Sequence, residues 1–508
     1  MTRTNSHLKI AASLISFALC YWIIFIDPVI NQDGILYIRV ADQFLQGNWS
    51  QALDLYPWPF YSLVIAAVSK MTSLGLEASA YLITASCAAI LTYVFISMIY
   101  ELDRDKTVPF VIAAFVIVFF PELNETRAMI IRGHGYWSFY LLAILCFSRF
   151  YRLPRPSYAW GWNLSIIIAT LFRIEGLVFL LLLPLTLLFR QGWSRMAKLK
   201  NFLTAHLLTI IGCLGILVLY LTGVDTGWVA ESRLSEPLSS IQQFLAVLSG
   251  GVVEHAAIIE NRLLNEYSAD AAIWIALSIP VIICLIAFIK ALTPVYTLLL
   301  CWKPGRSLCR LQAWAKPGLL WVVFLNLLII AVAVLNRYFF TERFVMPLVL
   351  ILLLILGFTL SALYDSWRQN GGRQQSWRRK WISYAVVLLL IANSGKALVH
   401  SPGHVSKKYL KDAGNWLQRN AAEDTRIFTN NVRVSFYSGD LKSTKKRPKK
   451  MITAERLKKW SKGDYDYLAL WVDHRSNLSE NKVIGLLGGK PLQRFANGEG
   501  DLVLIYRK

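Results

Sequence analysis

Apolar runs about as long as a bilayer is thick dominate this chain and leave it few possible folds. They fall near residues 10–26, 78–100, 108–121, 136–150, 163–173, 174–190, 202–222, 271–291, 318–336, 343–363 and 381–399. A helix needs roughly 20 such residues to cross the hydrocarbon layer. Inside a bilayer every backbone amide must find its partner within the protein, so continuous apolar runs become helices. The expectation is an α-helical polytopic membrane protein of about eleven transmembrane helices. Several runs are short, which predicts tilted or broken helices. Residues 163–190 read either as two spans or as one long span.

Composition agrees. Of 508 residues, 56% are hydrophobic, and the formal net charge is +22. The basic residues are scattered between spans, which points to contact with anionic membrane lipids and away from nucleic acid. The seven cysteines form no CxxC pair and no Cys/His cluster with metal-ligand spacing, so buried structural thiols are expected and a disulfide framework is not. The first run is long, and no small-residue cleavage site precedes Asp27-Pro28. It reads as an uncleaved first span.

With the N-terminus in the cytoplasm and residues 163–190 split into two spans, the inner loops carry more than twice as many Lys and Arg as the outer loops before the tail. That asymmetry supports the split and places the protein in a membrane such as the bacterial inner membrane. The transmembrane domain is read as 1–399. Residues 400–508 form a second domain, extracytoplasmic, with short apolar runs and 22 Lys/Arg against 11 Asp/Glu. An amphipathic helix over 407–419 and strands near 426–429, 467–472 and 502–506 predict a small α/β fold there. The run 442–450, KSTKKRPKK, reads as a solvated loop, with lipid headgroup contact as the sharper alternative.

On this topology, ionisable residues gather at the outer face. The first outer loop holds Asp27, Asp33, Arg39, Asp42 and Asp54. The second holds Glu122, Glu125, Arg127, Arg132 and His134. A tight turn holds Arg173 and Glu175, and a late loop holds Arg337, Glu342 and Arg343. Charges near membrane depth are costly and are functional candidates by default. Arginine grips phosphate with a fork of donors, and a carboxylate beside a hydroxyl can act as general base. A few acids among several arginines suit an anionic, lipid-linked substrate and a hydroxylated partner. Simpler readings compete: Asp33-Gly34 as a turn, Arg173 and Glu175 as a structural ion pair, His134 as an interfacial residue at a helix start, and Arg337 and Arg343 as interfacial cations.

Asp33-Gly34 followed by Tyr37, directly after the first span, resembles the polytopic glycosyltransferases of C-type fold. That superfamily includes dolichyl-phosphate-mannose protein mannosyltransferases and the bacterial aminoarabinose transferase of lipid A. Further resemblances lie in Arg132-Gly133-His134-Gly135-Tyr136, in Leu171 to Gly176 with its Arg-x-Glu-Gly turn, in Arg337-Tyr338 with Arg343 to Pro347, and in the tail at Trp416-Leu417 and Tyr437-Ser438-Gly439. The resemblance implies membrane-parallel helices over 34–46 and 57–70, joined at the Tyr56 to Pro59 turn. It implies Asp33 as catalytic base and Arg132, Arg173, Arg337 and Arg343 as binders of the donor phosphate. Tyr37, Glu122, Glu125, His134 and Glu175 would line the substrate site. Two departures stand out: Gly34 occupies the place of a second acid, and Gly133 that of an Asp. Glu122 or Glu125 would have to supply any second acid.

The reading is an inverting membrane glycosyltransferase that moves a sugar from a polyprenyl-phosphate donor to a glycan, lipid or protein hydroxyl on the outer face. No cofactor is expected. The outer loops lack a DxD-like cluster, which leaves at most a weak divalent-metal dependence. The rivals are a transferase of another lipid-linked group, and a transporter or flippase. The absence of evident internal repeats argues against the latter.

Overall fold

The computed structural model describes residues 3–103, 108–223, 252–301, 311–337, 341–370, 388–393, 407–422, 425–439, 453–461, 463–476 and 478–507, with a few isolated positions besides. The 442–450 run, His400, His404, Cys309, Tyr338 and most of the 381–399 run lie outside the described residues.

In chain order the helices are α1 (Arg3–Ile26), α2 (Gln32–Leu45), α3 (Trp49–Leu55), α4 (Phe60–Thr72), α5 (Leu76–Leu102), α6 (Phe110–Val118), α7 (Pro121–Thr126), α8 (Arg132–Arg152), α9 (Pro156–Phe172) and α10 (Gly176–Leu182). They continue with α11 (Arg195–Ala205), α12 (Leu207–Leu221), α13 (Val252–Leu263), α14 (Ala272–Leu292), α15 (Pro294–Cys301), α16 (Ala315–Arg337) and α17 (Glu342–Asn370). The tail adds α18 (Lys408–Asn420), β1 (Ile427–Thr429), α19 (Val432–Tyr437), α20 (Ala454–Ser461), β2 (Tyr467–Val472), α21 (Glu480–Leu487), β3 (Gln493–Ala496) and β4 (Leu502–Arg507).

Among the described residues, five helices are long and apolar enough to cross a membrane: Ser6–Ile26 within α1, α5, Tyr267–Leu292, Ala315–Leu335 within α16, and Glu342–Asp365 within α17. The count rises to six if α11 and α12, bent by 63° at His206, form one broken span. The other predicted spans that fall among the described residues are shorter or less apolar. The 108–121 run yields only the nine-residue α6, because the chain leaves the helix at Phe119, shortly before Pro121. The 163–190 stretch does break, at residues 173–175, where the chain leaves α9 for α10.

The chain divides into two compact units, each discontinuous in sequence. One comprises residues 1–17, 86–124 and 132–395. Its helices are tied by polar groups with few alternatives in an apolar setting. Lys9 Nζ donates to Ser97 Oγ at 3.1 Å, Trp162 Nε1 to Ala205 O at 3.0 Å, and Trp321 Nε1 to Leu182 O at 3.0 Å. α8 and α9 approach closely at Gly161, where an added Cβ would stand 2.9 Å from Cys146 Sγ.

The other unit comprises residues 18–85, 125–131 and 396–508. Its sheet runs β1-β2-β4-β3, with β1 and β2 parallel and the other pairs antiparallel. Every residue of β2 is buried. Alternate side chains point to opposite faces: Tyr467, Ala469 and Trp471 pack with Tyr409, Leu410, Ala413 and Leu417 of α18, while Leu468, Leu470 and Val472 pack with Leu457 of α20 and Val483 of α21. Helices therefore cover both faces, which is why β2 reads as one continuous apolar run. None of the six described cysteines forms a disulfide.

Candidate active site

In the first unit, α9 ends at Arg173, whose backbone is extended (φ −145°, ψ 129°), and the chain turns into α10 at Gly176. A Cβ on Gly176 would lie 2.6 Å from Thr170 Oγ1 and 2.8 Å from Thr170 N. The contact with Thr170 N is with backbone and cannot be relieved by a rotamer change, so the turn demands glycine there. The turn sets Arg173 and Glu175 side by side. The guanidinium grips the carboxylate through both ends, at 2.5 and 3.3 Å. It also lies over the rings of Phe344, at 4.6 Å, and Tyr136, at 5.7 Å.

These groups border a pocket of about 250 Å³, open mouth included, lined by Tyr136, Arg173, Glu175, Asn326, Arg343 and Phe344 among others. Arg132, at the start of α8, is close enough for its charge to act on Glu175. The pocket thus sets Arg173 and Arg343 beside Glu175, with Arg132 near enough to act on that carboxylate, an arrangement suited to an anion. The side chain of Arg337 lies outside the described residues. Asn326 is a site residue that the sequence reading does not include. It is an amide in the middle of the apolar run of α16, and its Nδ2 donates to Tyr140 OH at 2.8 Å. A polar residue isolated in a membrane-length run is the signal that could have found it. Glu122 is half-buried on the short α7, and Glu125 is exposed. His134 is buried and packs edge-on against Trp137, ring centroids 5.2 Å apart, a packing role for its ring.

In the second unit, Asp33 stands exposed in the first turn of α2, where a negative charge complements the helix dipole. α2 and α4 correspond to the two helices expected over 34–46 and 57–70, and the short α3 lies between them. Tyr37 is buried, its ring 5.1 Å from Tyr61 and 5.7 Å from Tyr56. Gly34 has a structural reason. A Cβ there would meet Ile130 Cβ and Asn31 Oδ1, each at 2.9 Å. Asn31 exchanges two hydrogen bonds with the Ile130 backbone, at 2.7 and 3.1 Å. The close approach of these two segments occupies the space a second acid would need.

The stretch just before Asp33 is held by the tail. Arg433 Nε donates to Ile30 O at 2.9 Å, and Ile30 N donates to Tyr437 OH at 2.9 Å. Lys411 Nζ donates to Pro28 O at 2.9 Å. Burial pushes the Asp27 carboxyl above the ordinary aspartate range, against the pull of Lys407 and Arg433. Its Oδ1 has no hydrogen-bond partner among the described residues. The sequence reading places none of these tail residues at the first loop, because nothing local in a sequence links positions some 400 residues apart.

Besides the adjacent Asp473, His474 has an acidic neighbour that its sequence surroundings do not announce, Asp501. Its Nδ1 lies 2.8 Å from Asp501 Oδ1 and 3.5 Å from Asp473 Oδ1. Asp501 also accepts the His474 backbone N–H at 2.9 Å, so the group ties the end of β2 to the start of β4.

No family model matches the sequence, and no curated protein matches it. Among solved structures, the chain is similar to the archaeal oligosaccharyltransferase AglB from Archaeoglobus fulgidus in complex with an inhibitory peptide and a dolichol-phosphate. That likeness has a TM-score of 0.49 and 13% identity, and covers 88% of this chain and 61% of that one. It is also similar to the oligosaccharyltransferase of the same archaeon tethered through a disulfide bond to an acceptor peptide containing the NVT sequon. There the TM-score is 0.42 and the identity 14%, covering 89% of this chain and 60% of that one. The chain thus spans about three fifths of the length of each of these proteins.

Proposed function

We propose that this chain is a membrane glycosyltransferase that takes a sugar from a polyprenyl-phosphate donor and transfers it, with inversion, to a hydroxyl of a glycan, lipid or protein on the outer face of the membrane. The observation that carries the reading is the pocket at the break between α9 and α10. Arg173 there is preorganised by Glu175 and two aromatic rings, with Arg343 on the wall and Arg132 near. Fixed guanidinium groups in an apolar helical protein favour a phosphate leaving group whose charge grows as its bond to the sugar breaks.

In this reading Asp33 accepts the proton of the acceptor hydroxyl as its oxygen attacks the anomeric carbon. The bond from that carbon to the phosphate oxygen breaks, and the electron pair leaves on polyprenyl phosphate, held by Arg132, Arg173 and Arg343, with Arg337 as a further candidate. Tyr37, Glu122, Glu125, His134 and Glu175 are the proposed substrate-side residues. The step needs no metal ion. The topology proposed with it has about eleven spans, the N-terminus in the cytoplasm and the tail outside, in the manner of a bacterial inner-membrane protein.

The test uses the full chain in proteoliposomes with a polyprenyl-phosphate sugar. Asp33→Asn should lower turnover by roughly 10²–10⁴ and leave donor binding intact; unchanged turnover removes the base assignment. Arg173→Ala should raise the apparent KM for the donor by roughly tenfold to a hundredfold, the loss of a charge-assisted hydrogen bond. Arg173→Lys should not restore it, because the fork is lost. If only thermal stability falls, the pair is structural. Comparison of cell-envelope glycans with and without the protein, by mass spectrometry, names the sugar.

A further inference from the structure

Another site lies along α8, roughly 20 Å from the first by the helical rise between Tyr136 and Tyr151. Here a shallow groove of about 330 Å³, open mouth included, is walled by Phe147, Tyr151, Leu183, Trp314, Gly318 and Leu319. The walls are apolar and aromatic, and the mouth is cationic. The Arg152 guanidinium lies 5.8 Å from the Trp314 ring centroid. That of Arg190 lies 4.9 Å from the Tyr151 ring and 4.0 Å from Trp193. Arg190 Nη2 donates to Arg152 O at 3.3 Å, which ties the two cations together.

Among the described residues the charges here do not balance. Glu101 serves both Arg149, at 3.2 Å, and Arg152, at 2.9 Å. Among the described residues no carboxylate pairs with Arg190, and its Nη1 is shielded from solvent with no hydrogen-bond partner. Among the described residues, two guanidinium groups, Arg152 and Arg190, stand at the rings of an apolar groove, and the one carboxylate paired with Arg152 is shared with Arg149, which makes a binding site for an amphiphile with a negative head.

We propose that this groove binds an anionic phospholipid of the surrounding leaflet. One acyl chain lies between α8 and α16 against Trp314 and Leu319, and the headgroup phosphate lies at the guanidinium groups of Arg152 and Arg190. A free anion would use the arginines and leave the groove unfilled. A neutral lipid would fill the groove and leave the charge excess uncompensated. Cations near the membrane surface attract anionic headgroups over zwitterionic ones, which gives preference between headgroups. This site is independent of the donor reading and stands or falls separately.

The experiment reads Trp314 fluorescence in vesicles containing brominated-chain phosphatidylglycerol or brominated-chain phosphatidylcholine at equal mole fraction. The signal is the difference between the intact protein and Trp314→Phe. The expected result is several-fold stronger quenching by phosphatidylglycerol. Arg190→Gln should reduce that preference without abolishing quenching. Gly318→Leu should reduce quenching by both lipids. An added Cβ at Gly318 meets no atom within 4 Å, so the larger side chain can fill the groove without displacing the helix. Equal quenching by the two lipids, or a preference unchanged in both variants, overturns the proposal.

Discussion

At the scale of single residues, two glycines explain more than the charged groups around them. Gly176 closes the Arg-x-Glu-Gly turn because Thr170's backbone occupies the space of a side chain. Gly34 follows Asp33 because Ile130 and Asn31 stand where its Cβ would be. Gly176 is legible in the sequence as part of a short motif. Gly34 reads there as a missing acid, since its neighbour in space comes from a segment nearly a hundred residues away. Gly34→Ala should therefore destabilise the protein by about 1–3 kcal/mol, the usual range for overpacking a filled site. Gly34→Glu, which would restore the second acid, should cost more. Thermal melting of the detergent-solubilised chain measures both; a Gly34→Glu protein as stable as the parent would show that the space can open.

At the scale of elements, periodicity and run length are reliable where an element buries its own pattern. β2 occupies Tyr467–Val472, as its unbroken apolar run implies, and α2 and α4 fall close to the two helices expected after the first span. β3 is not legible. Its four residues QRFA are largely exposed and join the sheet only by pairing with β4, so they carry no apolar signature. α19 escapes a sequence reading for a related reason: it is six residues long and is defined by what it touches. It offers Arg433 and Tyr437 to the backbone of residues 28–30, and Gly414 of α18 lets it approach, because a Cβ there would meet Tyr437 Cβ at 2.5 Å. Tyr437→Phe keeps the ring and removes the hydroxyl, leaving the N–H of the fully buried Ile30 without its acceptor. The expected cost is about 1–3 kcal/mol, together with faster hydrogen exchange in the peptide spanning residues 27–35. Exchange unchanged there would mean that the hydroxyl bond does not hold the loop.

At the scale of the whole molecule, apolar run length is enough to identify a helical membrane protein, but not how the chain is partitioned. The compact unit that contains Asp33 is assembled from residues 18–85, 125–131 and 396–508. A division by composition near residue 400 instead sets the tail apart from the loop it holds. Composition records what solvent a segment prefers, whereas the unit depends on which remote backbone groups satisfy one another. The buried α2 residue Arg39 shows the consequence: its Nη2 donates to Ser435 Oγ of the tail at 3.4 Å. A chain truncated after residue 399 would lose this contact and the three hydrogen bonds to residues 28–30, so α2 should open locally far more often. Limited trypsinolysis in detergent should then cut at Arg39 in the truncated protein and spare it in the full chain, with the exposed Lys70 as an internal reference for protease access. Equal resistance at Arg39 in both proteins would mean that the helices of the first loop fold without the tail. The tail's role would then have to be sought in what it binds, not in what it holds.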